Sequence, residues 1–210
     1  MFVWITINAL GLGISLLIGA WVETMGITEF TSRHFRFPNA LNVMVAGVGL
    51  GLLQWKAIDD WYVRIPIRWI LGAAIGFWTI AAMTSFFYEL SIWANFRNSL
   101  SPEQDLVRNV EVGTTAGMIG GAVLGLIQGW SLKVRLFWGI VNAAAWAIGW
   151  SVSWGINFKA YHALLYFPEA SQPFRMIVQM GVLGLVAGFV SSVMTAVPLL
   201  LLLRREWMRF

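Results

Sequence analysis

The chain contains no cysteine, and that absence removes disulfides, thiolate nucleophiles, zinc–cysteine sites and iron–sulfur clusters together. It also leaves the redox compartment unreadable. Charge is scarce: 11% of the 210 residues are Asp, Glu, Lys or Arg, against roughly 25% in an ordinary soluble domain. Histidine is limited to His34 and His162, and neither begins a His-x-x-x-His or ends a Glu-x-x-His pair that would set two ligands on one helix face. There is no Gly-x-Ser-x-Gly elbow and no glycine loop followed by Lys-Ser or Lys-Thr. No catalytic residue, metal site or cofactor is therefore expected, and the chain is not expected to be an enzyme.

What is present is apolar. Hydrophobic residues make up 59% of the chain, too much to cover with a water-soluble surface. Six long runs carry most of them: Phe2 to Val22, Ala40 to Ile58, Trp69 to Tyr88, Gly113 to Trp130, Leu136 to Ile156 and Met176 to Leu203. About 20 apolar residues in helical form cross a hydrocarbon core roughly 30 Å thick. Backbone groups cannot go unpaired in lipid, so these runs are expected to be helices. Pro198, inside the last run, lacks a backbone donor and is expected to kink or end regular helix near Thr195. The first run starts without a basic segment and meets no small-x-small cleavage motif before Glu23; it is expected to be a retained span. The fold class that follows is an all-α integral membrane bundle, residues 1–210 forming a single polytopic domain.

The connecting segments set an orientation. The second and fourth loops and the C-terminal end hold eight basic residues (Lys56, Arg64, Arg68, Lys133, Arg135, Arg204, Arg205 and Arg209) against three acids. The first, third and fifth hold six basic residues with seven acids at or beside them. Lys and Arg favour the cytoplasmic side, which places both termini in the cytoplasm. The net charge of +4 is spread among these loops with no basic stripe or binding motif, so lipid is the expected partner and nucleic acid is not. Trp4, Trp55, Trp61, Trp69, Trp130, Trp138 and Trp207 fall near one interface and Trp21, Trp93 and Trp154 near the other, as an aromatic belt would. The segment Thr31 to Pro38 mixes Arg33, His34 and Arg36 with Phe35 and Phe37 and reads as an interfacial anchor.

An internal repeat underlies the runs. The second reads Gly47-Val-Gly-Leu-Gly51-Leu-Leu-Gln54-Trp55, the fourth Gly121-Ala-Val-Leu-Gly125-Leu-Ile-Gln128-Gly129-Trp130, and the sixth Gly184-Leu-Val-Ala-Gly188-Phe-Val-Ser191. Each has Gly-xxx-Gly, then a polar residue three positions on. The odd runs carry paired small residues, Ala9 and Gly13, Gly72 and Gly76, Ala145 and Gly149. Three repeated αα-hairpins in a pseudo-threefold bundle follow, packed through small residues because lipid supplies no hydrophobic drive between helices. The helix-packing residues are expected to be Gly47, Gly51, Gly121, Gly125, Gly184, Gly188, Gly72 and Gly76. Gln54, Gln128 and Ser191 are expected either to bond between helices or to form a polar ring along a pathway. Asn8, Asn42, Thr79, Thr114, Thr115, Asn142, Ser151, Gln179 and Thr195 are likewise expected to bond between helices.

The Gly-xxx-Gly-Leu-x-Gln-Trp run at Gly47 to Trp55, its variant at Gly121 to Trp130, and Ala-Ala-Ala-Trp-Ala-Ile-Gly-Trp at Ala143 to Trp150 resemble uncharacterised bacterial polytopic membrane proteins built from similar hairpins. Gly129 interrupts the second copy and Ser191 stands for glutamine in the third. The resemblance implies a bacterial inner-membrane location and carries no activity. Intramembrane ionisable residues, the usual pointer to ion pathways, are absent from the middle of every run. Two function classes remain. A structural or accessory membrane component, with a protein partner in a membrane complex, comes first; a small permease, channel or lipid-handling protein is the alternative.

Overall fold

A computed structural model describes residues 1–24, 37–61, 66–94, 102–164 and 172–207. Six helices account for almost all of them: α1 (Phe2–Thr24), α2 (Phe37–Trp61), α3 (Arg68–Ala94), α4 (Pro102–Ser131), α5 (Arg135–Leu164) and α6 (Gln172–Trp207). Among the described residues there is no strand.

Five of the helices, all but α2, contain stretches long and apolar enough to cross a membrane. Helix α2 is 25 residues long but carries Gln54, Lys56, Asp59 and Asp60 in its C-terminal half. The outer surface has the character of the runs themselves: Leu10, Ile14, Leu71, Met118, Ile140, Phe189 and Leu201 are all exposed. A soluble monomer does not present an apolar surface of that extent to water. The chain is thus a multi-pass helical membrane protein with its sides against lipid.

Helix α4 starts at Pro102, well before the expected Gly113. Proline suits the first helical position because the N–H it lacks would be unpaired there anyway. Glu103 and Asp105 in the first turn complement the positive end of the helix dipole, and Asp105 pairs with Arg108 at 2.6 Å. Helix α6 runs unbroken through Pro198, where an end of regular helix was one expectation. The Thr195 hydroxyl, one turn earlier, donates to the Ser191 carbonyl at 3.0 Å.

Each helix packs on its neighbours in the chain, and α6 returns to pack on α1. The six form a closed ring whose loosest seam lies between α1 and α2 and whose closest lies between α4 and α5. Its interior is filled in two clusters. One gathers Leu12, Leu16, Leu50, Phe77, Leu124 and Trp146 with their neighbours; there the Phe77 and Trp146 rings meet edge to face, centroids 4.9 Å apart. The other gathers Trp4, Ile58, Trp69, Trp138, Leu199 and Leu203. Its membership brings the first turns of α1, α3 and α5 to the same end as the last turns of α2, α4 and α6.

Candidate functional site

Between the two clusters lies a layer of buried amides and indoles. One helical turn separates Leu12 from Asn8, Leu50 from Gln54 and Leu124 from Gln128, so the polar residues follow the apolar ones down the same inward faces. Asn8, Gln54 and Gln128 are all nearly inaccessible, at 1–2% exposure. Buried amides without partners cost free energy, and these have partners across the ring.

Gln54 is the hub. Its Nε2 donates to Asn8 Oδ1 of α1 at 2.5 Å. Its Oε1 accepts from Trp69 Nε1 of α3 at 3.1 Å and from Gln128 Nε2 of α4 at 3.2 Å. Gln128 Oε1 accepts from Trp138 Nε1 of α5 at 3.5 Å, a long and weak bond. Asn8 Nδ2 donates to its own helix at the Trp4 carbonyl, 2.7 Å away. The Trp4 indole donates to Thr195 Oγ1 of α6 at 3.1 Å. From Trp138 the donors thus run in one sense through Gln128, Gln54, Asn8 and Trp4 to Thr195, touching every helix once the Trp69 branch is added. Neutral amides and indoles neither gain nor lose a proton near pH 7, so the layer carries hydrogen bonds and no exchangeable charge.

Ser191, which the sequence pattern aligns with the two glutamines, donates to the Ala187 carbonyl of its own helix at 2.6 Å. Its short side chain ends there, and Gly149 of α5 lies directly against its Oγ. Several other polar residues expected to bridge helices also turn back one turn. Thr79, Thr114 and Thr115 donate to Ile75, Val110 and Glu111 carbonyls, and Asn142 donates to the Trp138 carbonyl. Back-bonding of this kind is the local alternative open to such side chains in a helix.

Trp4, Trp69 and Trp138 correct the aromatic-belt reading: their exposures are 9%, 0% and 0%, and all three work inside the bundle as donors. Trp130 and Trp21 are about half exposed, as a belt requires. The signal for the other group was their position at the first turns of α1, α3 and α5, the end where the glutamines of α2 and α4 also arrive.

The glycines lie where helices approach closely. A Cβ on Gly47 would come within 2.8 Å of the Ala73 carbonyl oxygen, and one on Gly51 within 3.0 Å of Ile70 Cα, both on α3. On α4, Gly121 and Gly125 face α5, where a Cβ would meet the carbonyl oxygens of Asn142 and Trp138 at 2.6 and 2.5 Å. On α6, Gly184 faces the Leu12 carbonyl of α1 at 2.6 Å and Gly188 faces that of Asn8. Gly72 and Gly76 face α4 instead, at Ile127, Gln128 and Leu124. Gly13, aligned with Gly76 by sequence, faces Leu185 of α6.

Among the described residues no three of His, Asp and Glu converge as a metal ion would need. His34, Arg33, Arg36, Glu29, Glu169 and Ser99 lie outside the described residues, as do the side chains of Glu23 and His162. Comparison with protein families, with curated proteins and with solved structures finds no match.

Proposed function

We propose that this chain is a structural or accessory component of a bacterial cytoplasmic membrane, a single polytopic domain that acts through a protein partner and catalyses no reaction. The observation that carries the reading is the amide layer. Gln54 and Gln128, the residues best suited to line a solute pathway, spend their hydrogen bonds on each other and on Asn8, Trp69 and Trp138. A layer bonded across the ring axis, with packed apolar clusters above and below it, serves to hold six helices in register.

The same reading takes the bundle as three αα-hairpins about a pseudo-threefold axis. Its support is that each even helix sets its glycine pair on the odd helix that follows: Gly47 and Gly51 on α3, Gly121 and Gly125 on α5, Gly184 and Gly188 on α1. Small residues allow that approach, and in lipid the approach itself is what holds helices together. The basic excess at the end shared by Lys56, Arg68, Lys133, Arg135 and Arg204 supports placing both termini in the cytoplasm.

A second reading, a small permease, channel or lipid-handling protein, draws on the open groove along the α1–α2 seam, lined by Gly11, Ile14, Gly49, Leu52 and Leu53. Two measurements separate the readings. Purification from native membrane in mild detergent with mass spectrometry is expected to yield a stoichiometric protein partner. Sealed vesicles holding the purified chain are expected to take up solutes no faster than protein-free vesicles; accelerated uptake, or accelerated lipid exchange between vesicles, overturns the accessory role.

A further inference from the structure

Helices α3 and α5 both begin with arginine, and α4 ends between them. Arg68 donates from Nε to Ser131 Oγ at 3.2 Å, and its guanidinium carbon lies 5.7 Å from the centre of the Trp130 ring. Arg135 approaches the same ring more closely, at 4.3 Å. Lys133 projects from the turn between α4 and α5, its backbone held at φ 57° while Val134 N–H bonds back to the Gly129 carbonyl at 2.9 Å. Three cations are thus gathered at one corner of the bundle. Among the described residues no carboxylate pairs with any of them; the ion pair between Arg108 and Asp105 is on the N-terminal part of α4, away from this corner.

We infer that the Arg68–Trp130–Arg135 corner binds the phosphodiester of an anionic phospholipid. Two guanidinium groups drawn to one indole repel each other, and an anion between them turns that repulsion into shared attraction. Guanidinium forks match phosphate oxygens in pairs, which an ammonium does not. The Ser131 hydroxyl adds a polar group at the same spot. Trp130 is 53% exposed and lies one residue before the end of the apolar stretch of α4, a position at which indoles favour the headgroup region.

The surface leading away from the corner distinguishes a lipid from a free phosphate. Ile67 just before α3, Leu71 on α3, and Leu136, Phe137 and Ile140 on α5 are all more than half exposed. They flank Leu126 of α4, which sits over Gly139, so acyl chains hanging from a headgroup at Trp130 would run along an apolar track. A zwitterionic headgroup would bring its own cation to a corner that already holds three, and an anionic one would not. The site lies on the outside of the α3–α4–α5 wall, away from the amide layer. It therefore stands or falls independently of the accessory role.

The test is native mass spectrometry and thermal unfolding of the purified full chain after exchange into neutral detergent supplemented with phosphatidylglycerol, phosphatidylcholine or inorganic phosphate. The wild type is expected to retain one phosphatidylglycerol and to gain several degrees in Tm from it, with no gain from the other two. Arg68→Gln/Arg135→Gln is expected to lower retention at least tenfold, whereas Arg204→Gln, which removes a cation at the same end from α6, leaves it unchanged. Arg68→Lys/Arg135→Lys keeps the charge and is expected to lose several-fold, which provides a reading should the glutamine variant fail to accumulate. Equal retention of phosphatidylcholine, equal protection by inorganic phosphate, or undiminished retention in the lysine variant overturns the assignment.

Discussion

Gln54 and Gln128 share a hydrogen bond of 3.2 Å across the ring interior although 74 positions separate them in the chain. The bond is asymmetric in its consequences. Gln54 serves Asn8, Trp69 and Gln128 at once, whereas Gln128 serves Gln54 and, at long range, Trp138.

Gln54→Leu is therefore expected to destabilise more than Gln128→Leu. The first strands an acceptor on Asn8 and donors on Trp69 and Gln128, each costing about 1–3 kcal/mol when buried and unpaired. The second leaves Gln54 still bonded to Asn8 and Trp69 and strands only the weakly held Trp138 indole. Reversible unfolding in detergent ranks the two; a Gln128→Leu cost equal to or above that of Gln54→Leu would remove Gln54 from its place as hub.

Helix α2 contains its own control for close packing. A Cβ on Gly49 meets nothing within 4 Å, while Gly47 and Gly51 on either side lie against α3. Gly49→Leu is expected to behave as wild type. Gly51→Leu is expected to lose at least the roughly 1–3 kcal/mol typical of overpacking, and Gly125→Leu more, since its Cβ would meet backbone at 2.5 Å. Thermal unfolding of the three purified variants checks the order, and equal melting of all three would remove the close-approach argument.

Lys133 is a non-glycine residue at positive φ, 57°, in a helix-ending turn that glycine usually occupies. In neutral detergent, stability is expected to fall in the order Lys133→Gly, wild type, Lys133→Val. A branched side chain in the left-handed region costs about 1–2 kcal/mol. Valine matching glycine in Tm would show that the turn relaxes to another form.

The absence of cysteine makes orientation directly measurable. With Asp59→Cys and Ser99→Cys made singly, an impermeant maleimide on intact cells is expected to label Ser99→Cys alone, and Asp59→Cys only after the membrane is opened. The reverse pattern would invert the topology.

Much of the bundle was legible in the sequence because lipid imposes one backbone solution on an apolar run. All six runs lie inside helices, and the ends that differ are the polar ones. The charges on Glu103, Asp105 and Arg108 give the first turns of α4 the character of a loop, although proline followed by acids also marks a helix start. The amide layer was legible only in part. A shared spacing after Gly51 and Gly125 marked Gln54 and Gln128, but the same spacing also marked Ser191, whose hydroxyl is too short to leave its own helix. Trp69 and Trp138 have the sequence position of interfacial residues, since a tryptophan near a span end usually is one. What sequence does not encode locally is which face of the first turn points inward, and that depends on the ring closing.

Ring closure also has a consequence for synthesis. The Trp4 indole bonds Thr195, 191 positions later in the chain, and α1 packs on α6. At roughly 5–20 residues per second, about 10–40 s pass between the emergence of the two. Throughout that interval the first helix stands in the bilayer with an unanswered donor and with the face that will receive α6 bare. A nascent chain in that state offers a membrane chaperone something to hold, and a truncated one offers a membrane protease something to recognise.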